Sequence, residues 1–434
     1  MKKRRIGVVA DDITGSNDIG IMFSKNGFNS VVATYDIGDV GAYDFADVVI
    51  LDTDSRFDTS EEAARKVCIA TKKLMATGFD MYHNKTCSVF RGNIGAEFDA
   101  MQDVLGVTCS MVVLGLPKLG RTTVDGIHYL NGVKLDESNF INDPIHPTHE
   151  AELAKILAMQ SLRKSAVFTV HELGLPIEEQ KNILERMKRE NAYVIFDIRN
   201  QADLQDVATL IKDEINICGS SGIAEELPGA WGQQGEDAGK SLIHPLEDNN
   251  AAFVLAGSLT EATKGQIKQL LSCGWHSYRV EPEELFQGRQ DAHMISEATK
   301  HALMHIQNRA PFLIYTQNDP IRVKNAKYLA AEAGLDDATL GKRISSIMGS
   351  IAQNVVRESG AKKIIVAGGD TSKAVSEALG ISHMRIAQEI EPGVPAMYGY
   401  GIFGEMLMVL KSGSFGSVGF LQQAVERLEY LAKS

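Results

Sequence analysis

The sequence predicts an α/β protein of two domains, and three observations predict it. Short apolar runs recur along the chain, each is followed by a turn rich in Gly, Asp, Ser or Thr, and each turn opens onto a segment of helical period. That alternation marks strands joined by crossover helices. Runs apolar at nearly every position belong to strands covered on both faces. Eight units can be read: Ile6 to Ala10 before Asp11-Asp12, Asp47 to Leu51 before Asp52, Met111 to Leu114, Tyr193 to Asp197, Ile215 to Gly219, Phe253 to Ser258, Phe312 to Thr316, and Lys363 to Asp370. Five precede and three follow a polar, aperiodic stretch from Gly232 to Asn250. We therefore expect an N-terminal domain over 1–235, a linker over 236–249 and a C-terminal domain over 250–434, with an active-site cleft between the domains.

The 434 residues carry 44 Lys+Arg and 56 Asp+Glu, a net charge of −12. That balance argues against nucleic acid or an anionic membrane as the main partner. No apolar run is long enough to span a bilayer. The chain opens on basic residues, but Ile6 to Ala10 is ended at once by Asp11, short of the about 7–15 apolar residues of a secretory core. Five scattered cysteines (Cys68, Cys87, Cys109, Cys218, Cys273) form no C-x-x-C pair. A reducing cytoplasm is the expected compartment.

Two nucleotide-site patterns fail. Gly399-Tyr-Gly-Ile-Phe-Gly404 matches G-x-G-x-x-G but lacks a preceding apolar strand and leads into a strand, Met406 to Leu410, rather than a helix. Gly239-Lys240-Ser241 resembles the end of a P-loop, yet Gln234 stands where the first glycine belongs. Three other clusters suit a phosphate: Gly257-Ser258-Leu-Thr260, Gly368-Gly369-Asp370-Thr371-Ser372, and Lys411-Ser-Gly413-Ser-Phe-Gly416. The first two stand between a strand and a helical segment, where free N–H groups and the helix dipole favour an anion.

In the first domain Asp11-Asp12 follows a strand, with Asn17-Asp18 opening the next helix, from about Gly15 to Lys25. One carboxylate suffices to cap that helix, which leaves the other for chemistry as a general base or Mg2+ ligand. Arg56, Lys85 and Arg91 lie beside strand ends in an otherwise acidic chain and suit a carboxylate substrate. Gly120-Arg121-Thr122-Thr123 could add a loop to the same rim. His301 and His305 are spaced like zinc ligands but have no third ligand nearby and read as surface residues. Cys87 lies in a polar loop without a local base.

Together these motifs are similar to the four-carbon acid sugar kinase family. Ala10-Asp-Asp-Ile-Thr-Gly-Ser16 resembles its A-D-D-x-T-G-A, and Lys85-Thr-Cys-Ser-Val-Phe-Arg-Gly-Asn93 its K-T-D-S-T-L-R-G-N. Further matches are Gly120 to Thr123, Asp143-Pro-Ile-His-Pro147, Gly257-Ser258, Gly368 to Thr371 and Lys411 to Gly416, so the similarity spans nearly the whole chain. The resemblance implies a sugar-acid-binding N-terminal domain, a nucleotide-binding C-terminal domain, and transfer of phosphate from ATP, with Mg2+, to a terminal hydroxyl. It implies acceptor contacts at Asp12, Arg56, Asn84, Lys85, Thr86 and Cys87, with Arg91 beside them, and ATP contacts at Ser258, Gly368, Gly369, Asp370, Thr371 and Gly413. Ser16-Asn17-Asp18 is similar to the D-threonate and D-erythronate kinase branch rather than the 3-oxo-tetronate kinases. One departure stands out: Cys87 occupies the position of the family's Asp, and Val89-Phe90 that of its Thr-Leu.

The expected reaction is phosphorylation of the 4-hydroxyl of D-threonate, with D-erythronate or a 3-oxo-tetronate as alternatives. Asp12 is the candidate base and Asp11 its alternative, while Arg56 and Lys85 would pair with the substrate carboxylate. Rival classes are a non-catalytic sugar-acid or nucleotide sensor and an NAD-dependent dehydrogenase. Metal ligands are unassigned, and the oligomeric state is open, a homodimer included.

Overall fold

The computed structural model describes residues 3–142, 147–286 and 291–434. Residues 143–146, in the Asp143-Pro-Ile-His-Pro147 match, lie outside them. The chain divides into two compact units, 1–239 and 240–434.

The first unit contains strands β1 (Ile6–Ala10), β2 (Ser30–Thr34), β3 (Val48–Asp52), β4 (Met81–Lys85), β5 (Ser110–Val113), β6 (Arg121–Val124), β7 (Ile127–Leu130), β8 (Val133–Lys134), β9 (Ser165–Phe168), β10 (Tyr193–Phe196) and β11 (Asn216–Gly219). Eight of them pair in parallel in the order β2-β3-β1-β4-β11-β5-β10-β9. The strands are apolar throughout because both faces are covered: Met111 and Val113 enter one core cluster while Val112 and Leu114 enter another. The remaining strands, β6 to β8, form a small antiparallel sheet held beside β10 by mutual Thr123–Ile198 backbone hydrogen bonds.

The second unit contains β12 (Phe253–Ala256), β13 (His276–Val280), β14 (Phe312–Thr316), β15 (Lys363–Ala367), β16 (His383–Glu391), β17 (Val394–Gly401) and β18 (Gly404–Lys411). Its order is β13-β14-β12-β15-β18-β17-β16, parallel from β13 to β18 and antiparallel beyond. Gly399 to Gly404 is the β17–β18 hairpin. His305, expected on the surface, is half-buried, stacked on the His276 and Phe312 rings. Among the described residues no helix is long and apolar enough to cross a membrane.

Both units open with the same winding. In each, the first strand's successor is placed two positions to one side, the third fills the gap, and the fourth crosses to the other side, giving β2-β3-β1-β4 and β13-β14-β12-β15. The strand order therefore reverses at β1/β4 and at β12/β15. A crevice forms beyond the carboxyl ends of strands at such a point, and ligands bind there.

Candidate active site

At the first reversal Ala10 pairs with both Asp52 and Lys85, so three loops leave the sheet at one level. Asp12 caps the helix Ile13–Ser24, which begins two residues earlier than expected. Its Oδ1 accepts the Gly15 N–H at 2.7 Å and its Oδ2 the Thr14 hydroxyl at 2.9 Å. Arg56 arrives from β3 and grips Asp11 with two hydrogen bonds, Nε to Oδ2 at 2.8 Å and Nη2 to Oδ1 at 2.7 Å, while Nη1 donates to Asp12. Arg56 is 9% exposed and Asp11 1%, so this is a buried pairing and not a surface ion pair. Both carboxylates are thus engaged within the protein. Burial would raise the Asp12 pKa, but Arg56, Lys85, and the Gly15 and Thr14 donors together hold it below the ordinary value.

Lys85 ends β4 and is buried, its Nζ donating to Thr86 O at 3.0 Å and standing 3.7 Å from Asp18 Oδ2. A Cβ on Gly15 would lie 2.9 Å from that Nζ and 2.6 Å from Asp12 Oδ1, so only glycine lets the helix approach so closely. Asn84 points the other way and donates to Glu97 O at 3.3 Å. Cys87 is buried beside Val89, Phe90 and Phe98. Burial pushes its thiol pKa up, but Arg91 and Arg56 outweigh burial and leave it lowered. Phe90 adopts φ 57°, a strained conformation for a bulky residue. Packing against Phe98 and a Phe90 N–H to Cys87 O bond of 2.8 Å hold it there.

Glu97 and His128 escaped the sequence reading, whereas Asp18 and Arg121 were named there and stand at this site. Asp18 does not open a helix but lies in its second turn, facing Lys85. Glu97 is buried and accepts from the Ser55 hydroxyl at 2.7 Å; burial and then Asp11 push its pKa up to about 8. His128 of β7 reaches Ser88 O with Nε2 and Thr123 Oγ1 with Nδ1, both at 3.0 Å. Burial lowers its pKa to about 4, so at neutral pH the uncharged ring donates from Nε2 to that carbonyl and ties the hairpin to the Cys87 loop. Arg121 faces Cys87 and Asp18 from the same side. The helix is buried at every position, so Asn17 and Asp18 have no solvated face and turn toward protein.

In the second unit the three glycine and hydroxyl loops converge. Their strands β12, β15 and β18 are neighbours, with Ala256 level with Ala367 and Ala367 level with Lys411. A Cβ on Gly413 would stand 2.1 Å from Ser258 Oγ. Gly413 O accepts from Thr260 Oγ1 at 2.6 Å, Thr263 Oγ1 at 2.8 Å and Lys411 Nζ at 3.3 Å. Gly369 and Asp370 begin the helix Gly369–Ala378, and Thr371 packs against Gly257. Two helix starts and a glycine loop therefore share one corner, an arrangement that presents N–H and hydroxyl donors to an anion.

One α/β unit thus carries buried cations and carboxylates at its strand reversal, and the other a corner suited to an anion. Residues 6–227 match the sugar-binding N-terminal domain family and residues 253–421 the nucleotide-binding C-terminal domain family. The chain belongs to the four-carbon acid sugar kinase family and is a sugar-acid kinase by class. It is 28% identical to a 3-oxo-tetronate kinase of Pseudomonas savastanoi pv. phaseolicola, over 98% of this chain and 97% of the relative. It is 27% identical to a D-threonate kinase of Salmonella typhimurium, over 97% and 98% respectively. A crystal structure from Salmonella typhimurium LT2 superposes with a TM-score of 0.82 at 26% identity, over 98% of this chain and 99% of the other.

Proposed function

We propose that the protein transfers the γ-phosphoryl group of ATP to the 4-hydroxyl of a four-carbon sugar acid, D-threonate first. The observation that carries this reading is the pairing of two chemistries at equivalent reversals: fixed cations and carboxylates beyond β1/β4, and phosphate-type donors beyond β12/β15. Phosphoryl transfer asks mainly for alignment and charge neutralisation, and both corners supply it. Asp12, Arg56, Lys85, Thr86, Cys87 and Arg91 form the acceptor side, with Asn84 bracing Glu97 behind them. Ser258, Gly368 to Thr371 and Gly413 form the ATP side. The donors on that side suit phosphate oxygens, and Mg2+ would be carried chiefly by the phosphates, where it neutralises developing charge. Relatives named for 3-oxo-tetronate, at 26–29% identity, bracket one named for D-threonate, at 27%, so overall identity does not choose between them. Ser16-Asn17-Asp18 favours D-threonate.

The test is ADP release from Mg-ATP, screened over D- and L-threonate, D- and L-erythronate and 3-oxo-tetronates, with each product weighed by mass spectrometry. D-Threonate should stimulate release and gain one phosphate. Stimulation by none of these acids would defeat the proposal. Cys87→Asp should then change the ratio of kcat/KM between two of the acids by about tenfold or more, because one acceptor for a substrate hydroxyl is gained. An unchanged ratio would remove Cys87 from the acceptor side.

A further inference from the structure

We propose that Asp18 is the catalytic base that takes the proton of the acceptor hydroxyl, an inference that rests on the kinase reading above. Among the carboxylates at the acceptor corner are Asp11, Asp12, Asp18, Asp52 and Glu97. Four of these are already committed. Both oxygens of Asp11 are held by Arg56. Both oxygens of Asp12 are held, by Gly15, Thr14 and Arg56, and its pKa is held down. Glu97, with its pKa near 8, already carries a proton at neutral pH and has no site for another. Asp52 accepts the Asp54 N–H at 3.1 Å, and burial with Asp54 and Asp12 beside it pushes it toward the protonated form.

Asp18 differs from all of them. It is 4% exposed, and its Oδ1 closes no hydrogen bond of normal geometry among the described residues; the nearby Ser221 hydroxyl closes none either. Its Oδ2 stands 3.7 Å from Lys85 Nζ, too far for a hydrogen bond yet close enough for the ammonium to favour the charged form. Burial raises its pKa, Lys85, the neighbouring Ser221 hydroxyl and Arg121 restrain the rise, and Asp12 adds to it. The outcome is a carboxylate with a higher proton affinity than an ordinary Asp and an Oδ1 that closes no hydrogen bond of normal geometry among the described residues, the two properties a base needs.

The step balances as follows. The acceptor oxygen forms a bond to the γ-phosphorus as its proton passes to Asp18 Oδ1. The bond from that phosphorus to the bridging oxygen breaks, and ADP leaves with the electron pair. Asp18 later gives the proton to water.

Asp18→Asn keeps the side chain's size and tests the assignment. With the best acid of the screen, kcat should fall about 100-fold or more. The acid KM and the affinity for a non-hydrolysable ATP analogue should stay within about threefold, as expected of an interaction made only in the transition state. The wild type should lose kcat on the acid side as Asp18 takes up a proton, and this limb should be absent from the residual activity of the variant. In Asp18→Ala, formate should restore part of the rate. A variant within threefold of wild-type kcat, or one with the acid limb intact and no rescue by formate, overturns the assignment. A wild-type chain that phosphorylates no acid fails at the earlier step and removes the kinase reading, so the two failures are distinguishable.

Discussion

Replacing Arg56 by Met is expected to cost about 3–5 kcal/mol of stability at neutral pH, the usual penalty for removing one partner of a buried ion pair. Arg56 neutralises two carboxylates at once, and Asp11, at 1% exposure, cannot recover its loss by turning to water. The defect should be pH-dependent with a definite sign. In the wild type the Asp12 pKa is depressed, so its contribution is complete above the unfolded value of 3.8 and disappears as pH falls through the folded value. Without Arg56 the burial of Asp12 is no longer outweighed, its pKa rises, and protonation then favours the folded variant. The stability gap between the two proteins should therefore narrow as pH is lowered from 7 toward 4. Urea midpoints followed by the fluorescence of Trp231 and Trp275 would measure it. Acceptor-dependent turnover should fall by more than about 100-fold, since the loops leaving β1 and β3 lose the group that fixes their spacing. A variant with an unchanged midpoint would mean that the Asp11–Arg56 pair is not buried in solution.

The physics of this corner explains what was and was not legible in the sequence. Strands such as Val48–Asp52 and Lys363–Ala367 are apolar nearly throughout because helices cover both faces, and runs of that kind can be read without any fold. The strand β4, Met-Tyr-His-Asn-Lys, hides among polar residues because its His83, Asn84 and Lys85 are buried in or beside the site. The edge strand β13, His-Ser-Tyr-Arg-Val, is half-exposed and lacks the apolar signature. Asp11, Asp12, Arg56 and Lys85 could each be suspected from a place beside a strand end. Their pairing could not, because Arg56 is 45 residues from Asp11 and only the register that sets Ala10 against Asp52 brings them together. Asp18 was misplaced for a local reason. A helix begun at about Gly15 puts Asp18 at its entrance, whereas the helix capped by Asp12 begins at Ile13 and puts Asp18 in its second turn, facing Lys85.

Lys411→Met is expected to weaken ATP binding by about 10–100-fold, the cost of letting a ligand-contacting loop shift from its place, without lowering the melting temperature at pH 7. Lys411 ends β18 and is 1% exposed. Its Nζ spends its three donors on Thr263 Oγ1 at 3.1 Å, Ser412 O at 3.0 Å and Gly413 O at 3.3 Å, so it shapes the loop that carries Gly413 rather than reaching for phosphate itself. Burial pushes its pKa down to about 7, and Glu391 offsets only part of that. Two opposite pH trends follow from this one group. The unfolded chain holds the proton up to about 10.5, so the cost of burying the charge is complete below pH 7 and is relieved as pH rises from 7 to 10.5; folding stability therefore climbs over that range. Affinity for ATP moves the other way, because the neutral amine offers one donor fewer and leaves a loop carbonyl facing its lone pair. Met removes the buried charge and the donors together, so both trends should vanish in the variant. Titrating a non-hydrolysable ATP analogue between pH 6.5 and 9, beside melting curves in the same buffers, reads the two at once. Unchanged affinity in the variant would show that the loop holds its shape without the lysine, and a lower melting temperature would show that its hydrogen bonds outweigh its desolvation.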